Sequence, residues 1–187
     1  MMGSYLKMIF DKLAVILSTW FGVGLIPKAP GTFGTLAALP FVWLCLKMQE
    51  DGSLTSFFNQ IGLHNSFFQS VILILAVTIL AIWAAARTEK LWQCHDDSRI
   101  VIDEVAGIFA TLYWFPFDVA HFVAGFLIFR LFDIWKPGPI GYIDEEVPGA
   151  LGTVLDDVLA GLVSAVLLYI IFHQKIVSIY ENSVSLW

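Results

Sequence analysis

The chain has 187 residues, of which 58% are hydrophobic and 14% charged, against about a quarter charged in an average soluble domain. Its mean hydropathy is +0.79 and its net charge −6, with no basic cluster. That excludes a disordered chain, an ordinary cytosolic enzyme and a nucleic-acid binder, which needs lysines and arginines to neutralise phosphates.

The remaining class is an all-α polytopic membrane bundle of one domain, residues 1–187, with about four to five spans and an N-terminal interfacial or re-entrant helix. In chain order, Leu13–Ile26 is apolar but only 14 residues long, which fits a helix in the interface better than a full crossing. Lys7 and Lys12 precede it, and no small-x-small cleavage site follows, so it does not read as a signal peptide. Thr32–Leu46 contains Pro40, so a kinked or tilted span is expected. Phe67–Ala86 is a 20-residue apolar run inside a stretch without Asp, Glu, Lys or Arg between Asp51 and Arg87. As a helix it is about 30 Å long, one hydrocarbon core. Ile100–Phe117 and Val119–Trp135 are parted only by Asp118 beside Pro116, a tight helical hairpin, and Val158–Gln174 is the last charge-free run. Cys45 and Cys94 give no disulfide framework.

An N-in, five-span reading puts Lys7, Lys12, Lys28, Arg87, Lys90, Arg99 and Lys136 on the cytoplasmic side and leaves Lys47 and Lys175 opposite, as the positive-inside rule requires. The same reading brings the segments around Gly31, His95, Asp133 and Asp156 to the cytoplasmic face.

Those segments hold ionisable groups within or at the ends of apolar helices, where each costs at least a few kcal/mol unless a polar cavity receives it. Asp103-Glu104 precede Gly107 by about one turn, and Asp157 precedes Gly161 likewise. A glycine there admits close approach of another helix or a substrate; two acids favoured by the helix dipole explain the first pair equally well. Thr153 and Asp156 have capping-box spacing, so Asp156 reads mainly as a helix-start residue. Arg130 and Asp133 share a helical face, with Lys136 just before Pro137. Gly31, Thr32, Gly34 and Thr35 form two Gly-Thr steps at a helix start, able to offer amides and hydroxyls to an anion, although a glycine-rich turn into a membrane helix is common. His95 and Asp96 fit a metal site or, more simply, a solvated loop; Asp144-Glu145-Glu146 reads as a solvated acidic turn.

Acids in excess, one arginine, one lysine and an anion cradle fit metal-assisted phosphoryl chemistry. Carboxylate oxygens suit Mg²⁺, Arg130 can grip phosphate as a fork, and Lys136 can act as a point charge. The segments APGTFGTLAALP, IDEVAG, FRLFDIWKPGPI and GTVLDDVLAG, in this order and over about residues 20–173, resemble the phosphatidylglycerophosphatase A family. The resemblance implies a bacterial inner-membrane, Mg²⁺-dependent lipid phosphatase that converts the membrane phospholipid phosphatidylglycerophosphate to phosphatidylglycerol and phosphate, with its site facing the cytoplasm. It implies catalytic roles for Asp103, Glu104, Arg130, Asp133, Lys136 and Asp157, and metal ligation by Asp103, Glu104, Asp133, Asp156 and Asp157, with His95 and Asp96 as further candidates. Phosphate would be held by Gly31, Thr32, Gly34, Thr35, Arg130 and Lys136. A water activated by a carboxylate and an aspartyl-phosphate both fit as nucleophile. The main alternative is a small ion- or proton-coupled transporter, which uses the acids but leaves Arg130, Lys136 and the Gly-Thr turn without a task. A lipid head-group phosphotransferase would need paired Asp-x-x-Asp motifs that the chain lacks.

Overall fold

A computed structural model describes the backbone of residues 2–184 and the side chains of residues 4–173; Gln174 and Lys175 lie outside the described side chains. The described residues form α1 (Met2–Ser18), a 3₁₀ turn (Val23–Leu25), α2 (Pro30–Glu50), α3 (Ser53–Gln60), α4 (Ser66–Trp92), α5 (Ile102–Leu112), α6 (Val119–Trp135), α7 (Pro139–Glu146) and α8 (Ala150–Val184), and include no strand.

Among the described residues, three helices are long and apolar enough to cross a bilayer: Pro30–Glu50, Ser66–Trp92 and the Ala150–His173 part of α8. This corrects the expected four to five. The segment read as a span over Ile100–Phe117 forms a helix of only 11 residues, α5, about 16 Å long and half a hydrocarbon core. All of its residues except Glu104 are buried, so it is apolar on every side because protein surrounds it, not lipid. Helix α6 has 17 residues, just short of a span. Its Phe122, Gly125 and Phe129 are buried, while Val123, Leu127, Leu131 and Ile134 are exposed on the outside of the bundle.

The direction of each helix follows from ring and ion contacts at the two ends of the bundle. At one end, Phe67 of α4 lies 5.7 Å from Trp114 beyond α5, and Trp43 of α2 lies 6.1 Å from Phe117. His121 of α6 stacks on Phe172 of α8 at 3.9 Å there too. At the other end, Lys136 after α6 meets Asp156 near the start of α8. Helices α2, α5 and α8 therefore start where α4 and α6 finish, the up-down alternation expected from the sequence, with α5 and α6 shorter than a full span.

Local chemistry sets the boundaries. The Asn65 side chain accepts a hydrogen bond from Phe67 N and starts α4; Asp118 does the same for α6 through His121 N. Helix α2 runs unbroken through Pro40. Helix α1 packs on α4: Phe10 lies edge-on against Trp83, Asp11 pairs with Arg87, and the Ser18 and Thr88 hydroxyls are 2.8 Å apart. The Ser18 carbonyl then accepts the Val101 amide at 2.8 Å, tying the end of α1 to the start of α5.

The core forms around α5. Phe109 stacks on Tyr113 at 4.7 Å and lies 5.6 Å from Phe41 of α2. Its contact with α8 is backbone against backbone. A Cβ on Gly107 would meet Phe129 and the Asp157 carbonyl, and a Cβ on Gly161 would run into the Gly107 carbonyl. Small residues are what bring membrane helices this close. We predict that Gly161→Ala, which cannot fit without separating α5 from α8, lowers stability by about 1–3 kcal/mol. A fall in the thermal unfolding midpoint of detergent-solubilised protein checks this; an unchanged midpoint would contradict the crossing.

Candidate functional site

The glycine crossing has a direct chemical result. Helices α5 and α8 run the same way, and each carries acids one turn before its crossing glycine. Asp103, Glu104 and Asp157 therefore converge, with one carboxylate oxygen from each lying within 4.8 Å of the others. Asp103 is 8% and Asp157 4% exposed. Asp103 Oδ1 and Glu104 Oε2 are buried and accept no hydrogen bond. Three clustered acids with orphaned oxygens in a water-poor place are strongly unfavourable without a compensating cation.

Arg130 on α6 supplies part of that compensation. Its guanidinium pairs with Asp133 one turn along the helix, and Nη1 lies 3.8 Å from Glu104 Oε1. Nη2 reaches Thr32 Oγ1 at 3.5 Å, while Nε is buried and donates to nothing. With Asp133 included, four carboxylates face one guanidinium, so the local charge stays negative. The donor set, hard carboxylate oxygens with two of them unsatisfied, fits a divalent cation.

The start of α2 closes the site. Pro30 occupies its first turn, where a missing N–H costs nothing. Gly31 sits against Glu104 and Arg130: a Cβ there would collide with Glu104 Oε1 and lie 3.4 Å from Arg130 Nη1. Gly34 instead packs on Val101, and the buried Thr35 hydroxyl donates to the Gly31 carbonyl at 2.8 Å. Of the four Gly-Thr residues, Gly31 and Thr32 adjoin the acids and Arg130; Gly34 and Thr35 hold α2 in place.

Asp156 does not cap α8, which begins at Ala150, a turn earlier than the capping-box spacing implied. Its Oδ1 accepts the Asp157 amide at 2.9 Å, and its Oδ2 lies 2.6 Å from Lys136 Nζ. Lys136 is also 2.6 Å from Asp144 Oδ1, so the turn read as solvated contributes a partner to one of the expected site cations. That contact joins residues eight apart across a proline-rich turn and had no periodic signal. His95 and Asp96 do not join the three-acid group. His95 Nδ1 lies 2.8 Å from Glu89 Oε1, a hydrogen bond that raises the His95 pKa and ties this ring nitrogen to α4.

Comparison with known proteins identifies the family. Residues 16–172 match the family model described as phosphatidylglycerophosphatase A. The chain belongs to the phosphatidylglycerophosphatase A family. It is 38% identical over 160 residues to phosphatidylglycerophosphatase A of Escherichia coli K12, covering 85% of this chain and 83% of that protein. It is 31% identical to the Haemophilus influenzae Rd protein of the same name, covering 83% and 86%. A Bacteroides thetaiotaomicron VPI-5482 protein, provisionally named a phosphatidylinositol-3-phosphatase, is 33% identical over 83% of this chain and 91% of its own length. No solved structure matches. The matched region contains every residue of the acid cluster, and it makes the chain one of a family of phosphatases.

Gly31 yields a test that separates site from fold. A methyl group there displaces only the end of the Glu104 side chain, and alanine is the better helix former. Gly31→Ala is expected to keep the wild-type unfolding midpoint but lose at least about tenfold in phosphatase activity, the scale of disturbing a ligand's support. Unchanged turnover would remove the α2 start from the site.

Proposed function

We propose that this chain hydrolyses the terminal phosphate monoester of phosphatidylglycerophosphate, releasing phosphatidylglycerol and inorganic phosphate, with Mg²⁺ as cofactor, at the cytoplasmic face of a bacterial inner membrane. The observation that carries the chemistry is the convergence of Asp103, Glu104 and Asp157 beside Arg130 and Gly31. Family membership and the name of the Escherichia coli relative support the substrate. The cytoplasmic orientation is supported by the lysines and arginines gathered at the end of the bundle that carries the acids.

Asp103, Glu104 and Asp157 are the residues that would hold the metal, with Asp133 at the edge of the group. A divalent cation bound there supplies charge neutralisation for an incoming phosphate and polarises its oxygens. Arg130, whose Nε has no protein partner, would bind phosphate oxygens through its fork. Gly31 lets Glu104 pack against the start of α2, so that the first-turn amides of that helix, where the dipole favours an anion, would lie beside the bound phosphate. Asp133 orients Arg130 through their ion pair. A carboxylate of the cluster would take the proton of an attacking water and return it to the departing glycerol oxygen. If a carboxylate attacked phosphorus instead, a second, protonated carboxyl of the cluster would supply that proton, and a water would then hydrolyse the acyl phosphate to release inorganic phosphate.

The transporter alternative draws no support from this geometry. It expects acids strung along the mid-depth of a bundle, whereas Asp103 and Glu104 lie in the first turn of α5 and Asp157 about two turns into α8, near the first turn of α2 and the last of α6.

The test is phosphate release by purified protein from phosphatidylglycerophosphate in mixed micelles, with Mg²⁺ or with chelator, beside phosphatidylinositol 3-phosphate as a competing substrate. Metal-dependent release that favours phosphatidylglycerophosphate is expected; release unaffected by chelation, or confined to the inositol lipid, would overturn the reading. Asp157→Asn should lower turnover by several orders of magnitude. Arg130→Lys should be severely impaired as well, since a point charge does not reproduce the fork.

A further inference from the structure

The sequence pairs Lys136 with Arg130 as a second phosphate-binding cation, but their surroundings differ. Arg130 keeps an unpartnered Nε within the acid cluster. The Lys136 ammonium donates to Asp144 Oδ1 at 2.6 Å and is ion-paired with Asp156 Oδ2 at 2.6 Å, so its charge is already engaged by two protein carboxylates. We infer that Lys136 is a strut and not a phosphate ligand, and that Asp144 is a positioning residue: the chain Asp144–Lys136–Asp156 sets the place of Asp157. This inference rests on the proposal that Asp157 belongs to the phosphatase site.

The backbone explains the divergence. Were α6 to continue, Lys136 would extend the stripe of Arg130 and Asp133, three residues on each time. The helix ends at Lys136 itself, which adopts the left-handed conformation (φ 46°, ψ 54°), donates its amide to the Phe132 carbonyl and precedes Pro137. The side chain therefore leaves the stripe and meets α7 and α8.

Two glycines let α7 fold back to receive it. A Cβ on Gly141 would sit 2.7 Å from the Lys136 carbonyl, and one on Gly152 would run into the Val147 carbonyl. Ile140 anchors α7 with 3% exposure. The lysine closes this fold-back by joining an α7 carboxylate 40% exposed to an α8 carboxylate 1% exposed.

The path to the site is short. Asp156 binds Lys136 through Oδ2 and the amide of Asp157 through Oδ1. Removing Lys136 leaves the Asp156 charge buried and without a cation, and its carboxylate then has reason to turn away from the Asp157 amide. Removing Asp144 frees the exposed end of the strut and lets the ammonium leave Asp156 for water.

A double-mutant cycle tests this with Mg²⁺-loaded protein: Lys136→Gln, Asp144→Asn, the two combined, and Asp144→Glu as the conservative control. The strut predicts that Asp144→Asn lowers kcat by about tenfold with KM and the inhibition constant for inorganic phosphate within twofold of wild type. Lys136→Gln should show the same pattern, the combined variant should be no worse than Lys136→Gln alone, and Asp144→Glu should recover most of kcat. A large rise in KM and in the phosphate inhibition constant for Lys136→Gln, beside wild-type kinetics for Asp144→Asn, would make Lys136 a phosphate ligand and overturn the inference. Additive losses would overturn it too.

Thermal unfolding midpoints of the same four proteins give a second readout. Coupled, non-additive shifts are expected, and additive shifts contradict the strut. If wild type releases no phosphate, the proposed function fails while the strut is judged on the midpoints. If Lys136→Gln does not fold, Asp144→Asn against Asp144→Glu decides by kcat.

Discussion

The rest of the structure depends on the contact between Gly107 and Gly161, where α5 and α8 touch backbone to backbone. Hydrocarbon around a membrane protein offers helices no hydrophobic reason to associate, so close packing and the contacts it permits must supply the affinity. Here the close approach has a second effect. Because both helices run the same way and each carries acids one turn before its glycine, the crossing that holds the bundle together also drives Asp103, Glu104 and Asp157 into one volume. Packing and chemistry are therefore a single constraint: a side chain at either glycine separates the acids as well as the helices.

That arrangement stores electrostatic demand. Buried carboxylates in proximity repel one another and have lost water, and the described residues answer with one guanidinium. A divalent cation held there would relieve the repulsion and supply positive charge for the phosphate monoester of the proposed substrate. Arg130 lies between the two tasks, paired with Asp133 yet holding a donor in reserve. Lys136, formally its companion in the sequence, is satisfied by Asp144 and Asp156 on the other side of the α6 terminus. Two cations six residues apart thus have different surroundings because one precedes the helix end and the other makes it.

The sequence disclosed the parts whose signal is local or periodic. Charge-free runs located α4 and α8, a largely apolar run located α6, and Asp118 beside Pro116 marked the α5–α6 hairpin. The repeated acid-then-glycine spacing marked both sides of the crossing before any contact was known. What it obscured has physical causes. Hydropathy scores α5 like a span because a helix wrapped in protein and one wrapped in lipid carry the same residues; only the tertiary contacts of Phe109 and Tyr113 distinguish them. The short helices α3 and α7 lie where composition is mixed and no period is long enough to register. Asp144 escaped notice because its partner lies across a proline-rich turn. The division of the Gly-Thr turn, with Gly31 and Thr32 toward the acids and Gly34 and Thr35 toward packing, depends on where Val101 sits.

The central claim is that Asp103, Glu104 and Asp157, joined by the helix crossing, form a divalent-cation site. It is tested most directly by titrating the detergent-solubilised protein with Mn²⁺ and reading bound ion by electron paramagnetic resonance. The account predicts saturable binding displaced by Mg²⁺, lost in both Asp103→Asn and Asp157→Asn, and retained in a His95→Ala variant. Binding that persists undiminished in both Asp103→Asn and Asp157→Asn would contradict it.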